Sequence, residues 1–70
     1  MKTRLKELRK SKRMSQLRLA MELNMNQNSI SRYENDEREM DYKTLISVSD
    51  FFGVSIDYLL CHTDNPKISE

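Results

Sequence analysis

Two punctuation marks, Met14-Ser15 and Met25-Asn26, confine the middle of this 70-residue chain to a pair of short helices. In each, an apolar residue precedes a short polar residue able to cap a helix, and an apolar partner, Leu19 or Ile30, waits at the fourth helical position to staple the first turn. Leu19, Ala20 and Leu23 then share one face of a helix over Gln16–Leu23. Asn24 stands at its exit, where a left-handed backbone is wanted and Asn adopts one cheaply. So short a connection makes the two helices cross steeply. The stretch Ser15–Asn35, SQLRLAMELNMNQNSISRYEN, therefore reads as a helix-turn-helix.

Its second helix has a telling outer face. Ile30 and Tyr33 must turn toward the core, which throws Gln27, Asn28, Ser31 and Arg32 outward. Gln and Asn amides pair with the N6/N7 edge of adenine and Arg with the O6/N7 edge of guanine, each good bidentate pair discriminating by about 1–3 kcal/mol. On an isolated helix such residues are an ordinary solvated surface. Placed after this turn, they form a set suited to the major groove of double-stranded DNA. Charge points the same way: residues 1–35 carry nine Lys/Arg against three Asp/Glu, whereas residues 36–70 carry three against eight, so the overall +1 conceals a basic and an acidic half. The basic half, which holds the motif, has the electrostatic footprint of a surface laid on phosphates.

Three more helices complete the pattern, and the expected fold class is all-α, a compact five-helix domain. Helix 1 spans about Thr3–Lys12 with Leu5 and Leu8 inward. A charged connector, Asp36–Met40, leads to Asp41, which caps a fourth helix whose buried stripe is Leu45, Val48, Ser49 and Phe52 and whose stop is Gly53. Val54 and Ser55 open a short fifth helix, Ile56–Leu60, stapled by Val54 and Leu59. Residues 1–62 make one domain, and the polar, proline-bearing stretch 63–70 is expected as a loose tail.

Composition excludes several classes of function. No apolar run approaches the roughly 20 residues of a membrane span, and no signal peptide is expected. A single cysteine, Cys61, and a single histidine, His62, build neither an internal disulfide nor a zinc site, which suits a reducing cytoplasm. There is no Ser-His-acid or Cys-His grouping and no phosphate-binding glycine loop, so no enzyme, cofactor or small-molecule ligand is expected. The outward face lacks the aromatic residues that stack single-stranded bases.

The runs RLKELRKSKRMSQLRLAMELNMNQNSISRYEN and TLISVSDFFGVSIDYLL, residues 4–35 and 44–60, resemble the Cro/cI-type (XRE-like) bacterial and phage repressor family. The markers are Ser15-Gln16, Ser29–Asn35 and Val54–Leu60, and the ending DYLLCHTDNP is similar to that of small stand-alone regulators of Gram-positive bacteria and their prophages. The resemblance implies a lambda-repressor-like domain that binds operator DNA as a dimer and regulates transcription, with Gln27, Asn28, Ser31 and Arg32 in the major groove. It further implies that Gln16 clamps a phosphate at the start of helix 2, that Asn35 makes a second backbone contact, and that Arg9 and Glu34 form an ion pair between helices 1 and 3. Arg9 is then a strut first and a phosphate ligand second. Ser15 and Asn26, the two N-caps, complete the phosphate set with Arg13, Arg38 and Lys43. Many relatives place glycine where this chain has Arg13, Asn24 and Asp36; for Arg13 a left-handed backbone would cost on the order of 1 kcal/mol.

Phe51, Ile56, Tyr58 and Leu60 exceed what so small a core can bury, and they are the expected dimer interface. Pairing there would set two recognition helices about 34 Å apart, one DNA turn, and so imply a pseudo-palindromic operator; the resemblance implies a repressor. The competing reading is an antitoxin or anti-repressor-like module using the same fold to hold a protein.

Overall fold

The computed structural model describes residues 2–67. Five helices follow one another without a strand among these residues: α1 Leu5–Ser11, α2 Gln16–Glu22, α3 Gln27–Glu34, α4 Tyr42–Phe52 and α5 Ile56–Leu59. The expected starts are where the caps place them. Ser15 Oγ accepts from the Arg18 N–H at 3.0 Å, Asn26 Oδ1 from Asn28 at 2.7 Å, Asp41 Oδ1 from Thr44 at 2.9 Å and Ser55 Oγ from Tyr58 at 3.0 Å. Each bond satisfies a backbone donor that the first helical turn cannot. At α1 the residue directly before the helix, Arg4, makes no such cap, and Thr3 Oγ1 instead accepts from the Leu5 N–H at 3.3 Å.

All five helices end in the same way, on a residue in the left-handed region: Arg13 (φ 56°), Asn24 (57°), Asp36 (59°), Gly53 (67°) and Cys61 (63°). In every case the following N–H reaches back five residues, as Met14 does to Arg9 and Met25 to Ala20, and the left-handed residue's own N–H reaches back three. This Schellman closure satisfies the last carbonyls and reverses the chain within two residues. Only one of the five positions is a glycine. Arg13 thus carries the strained backbone its comparison with relatives suggested, and Cys61 carries one that the sequence did not signal. Arg13→Gly should raise stability by about 1 kcal/mol, read as a higher urea midpoint, because it relieves that strain.

Leu5, Leu19, Ala20, Ile30, Tyr33, Val48, Phe52, Val54 and Leu59 form the core, with Leu8, Met14, Leu23, Met25 and Leu45 half-buried around it. Met40, inside the charged connector, joins them, 4% exposed, and anchors a segment that composition alone marks as solvent-facing. α3 packs against both α1 and α2, and α5 against α4. Ser49, the buried polar member of the α4 stripe, donates its hydroxyl to the Ile46 carbonyl at 3.0 Å.

Arg4 fastens the start of α1 to α5 and the residues that follow it. Its N–H donates to the Leu59 carbonyl at 2.8 Å, Nε to the Tyr58 carbonyl at 2.9 Å, and Nη2 to the Thr63 carbonyl at 3.1 Å and Asp64 Oδ1 at 2.9 Å. The guanidinium also lies 4.3 Å from the centre of the Tyr58 ring. The Pro66 carbonyl accepts from the Ser55 N–H at 3.1 Å. Residues 63–67, expected as a loose tail, thus carry no helix but are tied to α5 and to Arg4; residues 68–70 lie outside the described residues.

Hydrogen bonds from the Thr44 side chain and backbone hold the Asp41 carboxyl below the usual carboxylate range, against some desolvation and with help from the Arg38 and Lys43 charges. A group that titrates lower in the folded than in the unfolded chain adds stability above its unfolded value, about pH 4, and loses that contribution as pH falls further. Asp41→Ala should therefore lower the melting temperature at pH 7 and flatten the acid limb of a stability–pH curve, with the two proteins converging at the lowest pH.

Candidate nucleic-acid interface

α3 begins at the Asn26 cap and ends at Asn35, and its buried residues are Ile30 and Tyr33. With those two turned inward, Gln27, Asn28 and Arg32 are exposed and Ser31 is half-buried beside them. The four expected base-reading side chains thus lie together on one side of one helix. Asn28 and Arg32, four residues apart, are neighbours on that face, as are Gln27 and Ser31. The Ser31 hydroxyl meets Asn35 Nδ2 at 3.5 Å, a contact loose enough to exchange for a ligand.

The expected phosphate-facing groups are in different states of commitment. Arg13, Lys43 and Arg38 are exposed. Arg38 is nonetheless folded back over α3: its guanidinium sits 5.7 Å from the centre of the Tyr33 ring and Nη1 is 3.5 Å from Ser29 Oγ. Ser15 and Asn26 spend their oxygens on helix caps, which leaves the Ser15 hydroxyl proton and the Asn26 amide N–H groups available as donors.

Arg9 joins α1 to α3 through Glu34, as the resemblance implies. Nε donates to Glu34 Oε2 at 2.6 Å, Nη2 to Glu34 Oε1 at 3.1 Å and Nη1 to the Met14 carbonyl at 2.7 Å. Its side chain is 11% exposed and that of Glu34 only 1%, so the pair is a desolvated, bidentate link between α1 and α3. Gln16 also turns toward this pair, donating Nε2 to Glu34 Oε1 at 3.1 Å. Sequence reading did not foresee that contact, since the partners are 18 residues apart on different helices.

The expected dimer residues are half-buried rather than free. Tyr58 lies under Arg4, and Phe51 meets Phe52 edge-on with ring centres 5.0 Å apart. Ile56 lines a shallow groove of about 350 Å³ with Ile46, Val54, Asp50 and Asp57, whereas Phe51 lines a separate open cleft with Lys12, Arg13 and Arg18. Among the described residues the large apolar side chains most open to solvent are others, Leu17, Met21 and Tyr42.

The Helix-turn-helix family model matches residues 5–59, from the first residue of α1 to the last of α5. The chain is 42% identical over 64 residues to the uncharacterized HTH-type transcriptional regulator YqaE of Bacillus subtilis, covering 91% of this chain and 55% of that protein. It is 40% identical over 67 residues to the HTH-type transcriptional regulator ImmR of the same organism, covering 96% and 53% respectively. The SPbeta prophage-derived regulator YonR, also of Bacillus subtilis, is 44% identical over 57 residues, which cover 81% of this chain and 53% of the relative. The chain thus spans about half the length of the curated relatives it matches. A helix-turn-helix made by α2 and α3, a family match across all five helices and HTH-type transcriptional regulators at this level of identity together place the chain in the Cro/cI-type (XRE-like) helix-turn-helix family.

Proposed function

We propose that this domain reads double-stranded DNA through α3 and serves a transcriptional regulator, a repressor acting at a pseudo-palindromic operator. The observation that carries the reading is the outer face of α3, where Gln27, Asn28 and Arg32 stand exposed beside Ser31, within the basic half of the chain. Gln27 and Asn28 suit adenine edges and Arg32 a guanine edge. Phosphates on either side would meet Ser15, Gln16, Asn26, Asn35, Arg13, Arg38 and Lys43. The acidic residues 36–70 would stay clear of the duplex and carry the homodimer contact around Phe51, Ile56, Tyr58 and Leu60. No helix among the described residues is long and apolar enough to cross a membrane, which agrees with a cytoplasmic regulator.

Binding driven by phosphate contacts weakens linearly in log K against log salt, with a slope of about −0.9 per phosphate neutralised. Titration of a fluorescent duplex at several salt concentrations should show a slope of several units. Lys10→Ala, which removes an exposed cation of α1, should weaken binding evenly across sequences and reduce the slope by about 1. Affinity independent of salt would count against the reading.

A further inference from the structure

We infer that Glu34, besides bracing α1 against α3, is a positioning residue for DNA: its buried carboxylate fixes the Gln16 amide so that a donor faces the phosphate backbone. The inference rests on the DNA-reading role proposed above and concerns how one of its contacts is made ready before the duplex arrives.

One carboxylate gathers three elements. Oε2 accepts Arg9 Nε at 2.6 Å, and Oε1 accepts both Arg9 Nη2 and Gln16 Nε2 at 3.1 Å. Arg9 also holds the Met14 carbonyl at 2.7 Å, in the turn that leads into α2. An ionised carboxylate only accepts hydrogen bonds, so the end of the Gln16 amide facing it must be the NH₂ group. That settles which way the amide is turned. One Nε2 hydrogen is spent on Glu34, the second and the carbonyl oxygen enter no other hydrogen bond among the described residues, and Gln16 is half-exposed.

Two physical consequences follow for a phosphate approaching the start of α2. A free glutamine side chain would have to surrender rotamer entropy on binding, whereas this one is ordered in the free domain. The N–H shared with a carboxylate is also polarised by it, in surroundings where Glu34 is 1% exposed and water screens little. The outward hydrogen is neutral and close to the duplex, while the charge that orients it stays buried and compensated by Arg9. A carboxylate thereby serves binding to a polyanion without presenting its own charge to it.

The test is a double-mutant cycle on the affinity for a mixed-sequence DNA duplex, with Gln16→Ala and Glu34→Gln made singly and together and folding checked by circular dichroism at the binding temperature. In the natural background Gln16→Ala should weaken binding about tenfold. In the Glu34→Gln background the same change should cost less than about threefold, because the amide there is no longer held. Arg9→Lys supplies the structural control: it weakens the strut but keeps the carboxylate, and it should leave the effect of Gln16→Ala near its full size. Equal factors in all three backgrounds would overturn the positioning role while leaving DNA binding intact, and failure of the unaltered chain to bind any duplex would overturn the DNA reading and this inference with it. Should Glu34→Gln fail to fold, the Gln16 side-chain amide in the unaltered domain decides: the inference requires two well-separated NH₂ proton resonances shifted from those of free glutamine, and a free-glutamine pair would overturn it.

Discussion

Glu34→Gln is expected to lower the stability of the domain by about 3 kcal/mol while leaving its preference among base pairs unchanged. The size follows from burial. Arg9 presents Nε and Nη2 to two oxygens at 2.6 and 3.1 Å, and an amide at position 34 must replace one of them with a donor that faces a donor. With side-chain exposures of 11% and 1%, water cannot readily take over, so the guanidinium is left with a desolvated charge lacking its partner. Domains of this length have total stabilities of only about 4–10 kcal/mol, so the loss is a large fraction, and the melting midpoint should fall by more than about 10 °C. Base preference should survive because Glu34 touches none of Gln27, Asn28, Ser31 or Arg32 in the hydrogen-bond pattern. A thermal melt without loss would remove the strut assignment.

Arg32→Ala is expected to do the reverse: it should cost about 10- to 100-fold in affinity for the preferred duplex, equivalent to about 1–3 kcal/mol, and relax selectivity at one base position, with little change in stability. Arg32 is exposed, and none of the side-chain hydrogen bonds or ion pairs among the described residues involves it. Its guanidinium is therefore free to meet a base edge, and its removal leaves no buried group unpaired. Competition between duplexes differing at single positions measures both effects. A uniform loss at every position would mean that Arg32 holds a phosphate instead.

What was legible in the sequence was whatever depends on neighbours within a turn or two. Ser15, Asn26, Asp41 and Ser55 cap their helices because the donors they satisfy lie two or three residues away. Asn24 and Gly53 mark exits because their backbone preferences are intrinsic. Cys61 gave no such signal, since its left-handed conformation is imposed by the return of the chain rather than chosen by the residue. Met40 was hidden among acidic neighbours, and only packing from distant helices reveals it as core. Arg4 looked like one more surface cation, yet its partners stand 54 to 60 residues away. The same distinction divides the candidate site. Helical spacing alone puts Gln27, Asn28, Ser31 and Arg32 on one face, whereas the Gln16–Glu34 contact exists only because α2 and α3 cross where they do.

Selection of bound sequences from random duplex DNA tests the central claim most directly. A chain that reads base edges through α3 as a dimer should enrich one sequence with two inverted half-sites whose centres lie about one helical turn apart, and the enrichment should persist when salt is raised enough to suppress non-specific binding. Recovery of unrelated sequences at both salt concentrations would contradict it, leaving at most a non-specific hold on phosphates.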